Sequence, residues 1–188
     1  MVLNIPNILT YGRILAVPAV TACILWRGDS ARWLGLVIFI LAALTDFLDG
    51  YLARRWKQQS SLGRMLDPIA DKLLIAAVLL ALAGDNTIYG AHTWAGVIII
   101  CREVLVSGLR EFLAELRVPL PVTQLAKFKT ALQLVAIGFL IAGPAGDKVI
   151  PYTTMIGLAG LWIAAALTLY TGFDYFRAGV AHAVDERT

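Results

Sequence analysis

Apolar residues fall into six blocks along the chain, at roughly 7–26, 33–54, 68–84, 91–112, 130–146 and 149–174, and the pattern predicts six helices. Clusters that break regular structure separate them: Arg27-Gly28-Asp29-Ser30, Gln58-Gln59-Ser60-Ser61, Gly84-Asp85-Asn86, Pro119-Leu120-Pro121 and Gly143-Pro144-Ala145-Gly146. No repeat, low-complexity tract or long linker interrupts this order, so a single domain over 1–188 is expected. Crossing about 30 Å of hydrocarbon takes about 20 helical residues. The last two blocks approach or exceed that length without a charge, 17 residues at 130–146 and 25 at 149–173. The uncharged part of the second block has only 13 residues (33–45), and that of the third only 12 (73–84). Those segments span only if their charged residues lie within the span, which is costly in lipid and marks a functional interior.

Composition agrees with a membrane protein. The 188 residues are 59% hydrophobic and 15% charged, where a soluble domain is nearer a quarter charged. An all-α polytopic membrane fold of six transmembrane helices follows. The net charge of +3 is mild and the basic residues lie between apolar blocks, which argues against nucleic acid as a partner. Cys23 and Cys101 lie in apolar stretches and are expected to be buried free thiols rather than a disulfide. The first block lacks a basic leader and a cleavage site, so it is expected to stay as an anchor.

Loop charge sets the orientation. Eleven cations gather at the second-to-third turn, the fourth-to-fifth turn and the tail, against Arg27, Arg32 and Lys148 at the opposite end. The positive-inside rule then puts both termini in the cytoplasm, with the chain in the inner (cytoplasmic) membrane. Charges internal to the spans all fall in their cytoplasmic halves: Arg13, Asp46, Asp49, Asp67, Asp71, Arg102, Glu103, Lys127 and Lys129. A polar cavity between helices, open to the cytoplasm, is expected there.

At about 100° per residue, Asp46, Asp49, Gly50 and Ala53 share one helix face, and Asp67 and Asp71 share a face of the next. A hairpin of these two helices lets four carboxylates converge. Four anions in low dielectric repel one another, and a bound cation resolves the repulsion. Oxygen-only ligands select a hard ion, Mg²⁺ or Mn²⁺, and the number of carboxylates allows two. Gly50 and Ala53 leave room for a bulky ligand, and Arg54 can pair with a phosphate. The plainer readings are helix–helix contact for Gly50 and, for Asp67 before Pro68, a helix N-cap.

The spacing Asp46-x2-Asp49-Gly50-x2-Ala53-Arg54-x8-Gly63-x3-Asp67-x3-Asp71 resembles, at every fixed position, the signature of the CDP-alcohol phosphotransferase family. That resemblance implies a six-helix membrane fold, generally homodimeric. It also implies transfer of a substituted phosphoryl group from a CDP-linked donor to an alcohol, with release of CMP. It implies two divalent metal ions: Asp46 and Asp67 bridge both, Asp49 binds one and Asp71 the other, with Asp71 also the general base. It places Gly50, Ala53, Arg54, Ser60 and Gly63 at the CDP donor, together with the segment Asn7 to Thr10. Arg13 is retained as a site residue of unassigned role.

The segments "NIPNILTYGRI", "REVLVSGLREFLAE" and "LAKFKTALQL" resemble those of family members that move the phosphatidyl group of CDP-diacylglycerol onto glycerol 3-phosphate. A phosphorylated acceptor needs cations, and Arg102, Arg110, Lys127 and Lys129 are the candidates. Arg102 and Arg110 lie about 80° apart on a helix, so both could face inward, whereas Lys127 and Lys129 cannot. Glu103 and Glu111 could pair with those arginines. Members that make phosphatidylinositol phosphate or cardiolipin are the alternatives; serine, which has no phosphate, suits four cations poorly. Outside enzymes, a small cation transporter lacks the paired broken helices expected of one, and the complete aspartate set argues against an inactive scaffold.

Overall fold

A computed structural model of the protein describes residues 5–26, 28–56, 61–115 and 124–185. Among them are six α-helices and no strand: α1 (Ile5–Leu25), α2 (Asp29–Trp56), α3 (Ser61–Gly84), α4 (Thr93–Glu115), α5 (Gln124–Asp147) and α6 (Thr153–Asp185). A single 3-10 turn, Gly90–His92, leads into α4. The helices follow the six apolar blocks and extend most of them into the flanking polar residues. The break read at 143–146 is a kink inside α5, where Gly143 has φ 43° and ψ −126°. The chain then makes one more turn before Asp147.

The bundle is organised by two sets of helix contacts. α1 lies against both α2 and α3, while α5 packs most extensively on α6 and also on α2, with α4 against α6. The shared core includes Val20, Ile24, Phe39, Leu74, Val78, Leu82, Ile99, Ile137, Leu140 and Leu161. Small residues allow α5 and α6 to approach closely. A Cβ on Gly157 would stand 2.8 Å from Leu140 Cγ, and one on Gly160 would stand 3.0 Å from Ala136 Cβ. Backbone approach of this kind is how membrane helices gain contact when lipid gives them no apolar drive to associate.

Large apolar side chains also cover the outside. Leu15, Leu80, Leu105, Val135, Met155 and Ile163 are all exposed. Helices apolar on every side suit a lipid surround. α5 and the Thr153–Phe173 part of α6 are each long and apolar enough to cross a membrane. Cys101 departs from the expectation of a buried thiol: it is exposed and Cys23 half-buried, and both are free. An apolar stretch predicts exclusion from water, and lipid satisfies that as well as a protein core does.

One end of the bundle is tied by a buried arginine. Arg32, near the start of α2, forms an ion pair with Asp85 beyond α3, and both side chains are almost fully enclosed. It also donates to Thr87 Oγ1 at 2.9 Å and to the Ile141 carbonyl at 3.1 Å. Asp85 in turn accepts the Thr87 N–H at 3.0 Å. The kink at Gly143 frees the carbonyls of α5 that Arg32 meets, and a Cβ there would stand 2.6 Å from Arg32 Nη1. At the same end Lys148 Nζ pairs with Asp29 at 2.5 Å, and Trp162 donates to His92 Nδ1 at 3.0 Å. Exposed Trp26, Trp33, Tyr89, Trp94 and Tyr152 cluster in sequence around these helix ends, as aromatic residues do at a membrane interface.

Gly143→Ala should therefore lower the thermal unfolding midpoint in detergent. Forcing a side chain into this backbone conformation costs on the order of 1–3 kcal/mol, and the clash with Arg32 adds to it. A midpoint equal to the parent's would show that neither the kink nor the arginine contact is needed.

Candidate active site

α2 carries Asp46, Asp49, Gly50, Ala53 and Arg54, and α3 carries Gly63, Asp67 and Asp71. The start of α3 decides one question. Because the helix begins at Ser61, Asp67 is its seventh residue, so the N-cap reading of Asp67 is overturned. A cap stands outside the first turn, whereas Asp67 and Asp71 are both within the helix, one turn apart. The side chains of Asn7, Asp46, Asp49, Arg54 and Asp67, the surroundings of Gly50, Ala53 and Gly63, and the whole of Ser60 lie outside the described residues. Among the described residues, no three His, Cys, Asp or Glu side chains form a metal-holding group.

Thr10 and Arg13 are both buried at 1% exposure. They stand three apart, and therefore on one face of α1, the helix that packs on α2 and α3. A guanidinium in such a setting is costly unless other groups meet it. Its place in the bundle is that of an interior group rather than a surface anchor.

Asp71 is half-buried and lines a cavity of about 70 Å³ between α3, α4 and α5. Lys72, Glu103, Thr130 and Gln133 contribute the other polar positions of its wall, and Ile75, Ile100 and Leu134 are among the apolar ones. Of the four expected metal ligands it is the one whose surroundings are described, and it opens onto a cavity of mixed character.

The four cations expected to hold an acceptor phosphate separate into two pairs. Arg102 and Lys129 are buried, at 8% and 3% exposure, while Arg110 and Lys127 are exposed. The periodicity of α5 explains its half of the division. On α4, Ile99, Arg102 and Leu113 are buried, while Arg110 is exposed at the edge of that face, only about 20° round from Ile99. On α5 the buried stripe is Lys129, Gln133, Ala136, Ile137 and Leu140, and Lys127 lies nearly opposite.

The buried pair is braced by protein groups. Lys129 Nζ forms an ion pair with Glu103 Oε1, and Arg102 Nη1 reaches the same oxygen at 3.4 Å. Arg102 Nη2 donates to Thr171 Oγ1 of α6 at 2.9 Å. Gly172 leaves space for this arginine, since a Cβ there would be 3.1 Å from Arg102 Cγ. Glu103 does pair with Arg102, but its stronger contact is with Lys129 on the neighbouring helix; Glu111 is exposed. Sequence reasoning passed over Gln133, and Lys72 entered it only as one of the eleven cations, at the second-to-third turn. Their signals were position: Gln133 is four residues beyond Lys129, and Lys72 adjoins Asp71.

The chain matches known proteins along nearly its whole length. The CDP-alcohol phosphatidyltransferase family pattern covers residues 3–170. A protein of Rickettsia bellii named CDP-diacylglycerol–glycerol-3-phosphate 3-phosphatidyltransferase is 46% identical over 175 residues, 93% of this chain and 94% of that protein. Proteins of the same name from Cereibacter sphaeroides and Shigella flexneri are 42% and 33% identical, covering 98% and 99% of this chain and 99% and 100% of their own lengths. With the eight fixed positions of the aspartate signature intact on α2 and α3, the chain belongs to the CDP-alcohol phosphatidyltransferase family and is a transferase.

Proposed function

We propose that the protein transfers the phosphatidyl group of CDP-diacylglycerol to sn-glycerol 3-phosphate, giving phosphatidylglycerophosphate and CMP. The observation that carries this reading is the complete aspartate signature in a chain similar throughout to proteins bearing that name. The setting of Asp71 supports it: a carboxylate on a mixed cavity whose wall includes Lys72 and the Glu103 that pairs with Lys129.

Two divalent ions, Mg²⁺ or Mn²⁺, are assigned to Asp46, Asp49, Asp67 and Asp71. An all-oxygen donor set on consecutive helices suits hard cations. When bound, such ions neutralise the donor pyrophosphate and polarise the phosphorus under attack. Asp71 accepts the proton of the acceptor hydroxyl as that oxygen bonds to phosphorus and the bond to CMP breaks. Asn7, Thr10, Gly50, Ala53, Arg54, Ser60 and Gly63 are assigned to the CDP moiety, with Arg13 beside Thr10 in the same interior. For the acceptor phosphate, Arg102 and Lys129 are the better candidates, because burial strengthens their field. Arg110 and Lys127 are left as outer contributors that draw the anion inward.

In this reading one domain, 1–188, crosses the inner membrane six times as part of a homodimer, with both termini and the active site on the cytoplasmic side. The uneven placing of Lys and Arg, eleven towards the one end against Arg27, Arg32 and Lys148 at the other, supports that orientation.

Purified protein given CDP-diacylglycerol, Mg²⁺ or Mn²⁺ and a panel of acceptors should release CMP with glycerol 3-phosphate. Release with inositol phosphate instead would keep the family and overturn the acceptor; none with any acceptor would overturn the reaction. Asp71→Asn is expected to lower turnover by about 10²–10⁴-fold, the usual worth of a general base, with donor affinity largely kept. Equal loss of donor binding would assign Asp71 to metal holding alone. Chelation by EDTA should stop CMP release and added Mg²⁺ or Mn²⁺ should restore it, and full activity in EDTA would remove the metals from the scheme.

A further inference from the structure

Gln133 is 4% exposed, and its amide oxygen is buried with no hydrogen-bond partner among the described residues. It nonetheless lines the cavity that Asp71 opens onto. Leaving a buried amide oxygen unpaired is costly, so such an atom in a native interior calls for an explanation. The other polar groups on this wall have work already. Glu103 Oε1 receives Lys129 and Arg102, and Thr130 Oγ1 donates to the Ala126 carbonyl at 3.0 Å. A cavity of about 70 Å³ has room for a short polyol.

We propose that Gln133 is the residue that recognises the non-reacting hydroxyl of the acceptor. The inference rests on the glycerol 3-phosphate reading above and adds to it. That acceptor presents three groups in a row: a hydroxyl that attacks, a second hydroxyl on the middle carbon, and a phosphate. Asp71 serves the first and the buried cations the last. The middle hydroxyl, a donor and an acceptor at once, matches a primary amide, which is also both. Lys129 and Gln133 are four apart on the buried stripe of α5, so phosphate and hydroxyl recognition come from successive turns of one helix. An acceptor without the middle hydroxyl leaves the amide oxygen unpaired and is disfavoured, which is how a polar site discriminates more sharply than an apolar one.

The test compares glycerol 3-phosphate with 3-hydroxypropyl phosphate, which lacks only the middle hydroxyl, by CMP release from purified protein with CDP-diacylglycerol. The parent should prefer glycerol 3-phosphate in kcat/KM by about 10- to 100-fold. Gln133→Leu should bring that ratio close to one, chiefly by reducing activity with glycerol 3-phosphate. Gln133→Met, closer in shape, serves if the leucine variant unfolds, with the thermal midpoint as the check. A preference retained in a folded variant would overturn the inference, because a packing role slows both acceptors alike. A parent that does not distinguish the two acceptors would also overturn it while leaving the reaction intact. A parent inactive with glycerol 3-phosphate would remove the reaction reading and this inference together.

Discussion

A charge enclosed by apolar helices has to bring its own partners, and this rule fixes more of the bundle than the apolar packing does. Moving an ion out of water costs several kcal/mol even after relaxation, whereas contacts between apolar side chains differ little from contacts with lipid. Arg32 therefore specifies which elements must meet: the start of α2, the segment after α3 and the carbonyls near the end of α5. Lys129, Glu103, Arg102 and Thr171 do the same for α5, α4 and α6. Apolar residues bring the helices together, and the ionic groups select the pairing and rotation.

The two groups use that rule differently. Around Arg32 the acceptors are numerous and the space is closed, so the site is saturated. Around Glu103 one carboxylate oxygen meets both Lys129 and Arg102, and the cavity beside it is lined also by Asp71, Lys72 and Gln133. A closed cluster serves stability alone, while one that borders a cavity can also meet a bound molecule. In the proposed reaction that molecule is a phosphorylated alcohol.

Much of this was legible in the sequence. Uncharged blocks with Gly, Pro and Asp breaks between them marked six helices, and even the kink at Gly143 lay within a predicted break. The aspartate spacing alone carries the family's signature. What escaped depended on rotation and on distance along the chain. Arg102 and Arg110, at about 80°, fall on either side of a buried edge that spacing alone does not locate. Pro68 allowed a cap as the plainer alternative for Asp67, and only the start of α3 six residues earlier removes it. Arg32 and Asp85 are 53 positions apart, and nothing local in either segment names the other. Gln133 sits on a face that Lys129 already marked, but that its amide oxygen meets no partner among the described residues is a property of three helices together.

The partners of Arg32 are produced at very different times during synthesis. Asp85 lies 53 residues downstream, while the Ile141 carbonyl lies 109 downstream. The ion pair is thus available once the third helix has been made, but the remaining acceptor only after the fifth. The arginine passes through an interval in which it is neutralised but incompletely coordinated, and the end of the bundle that it ties closes late. The order of synthesis is written into that one side chain: charge joins the second helix to the end of the third, and carbonyls of the fifth complete its coordination afterwards.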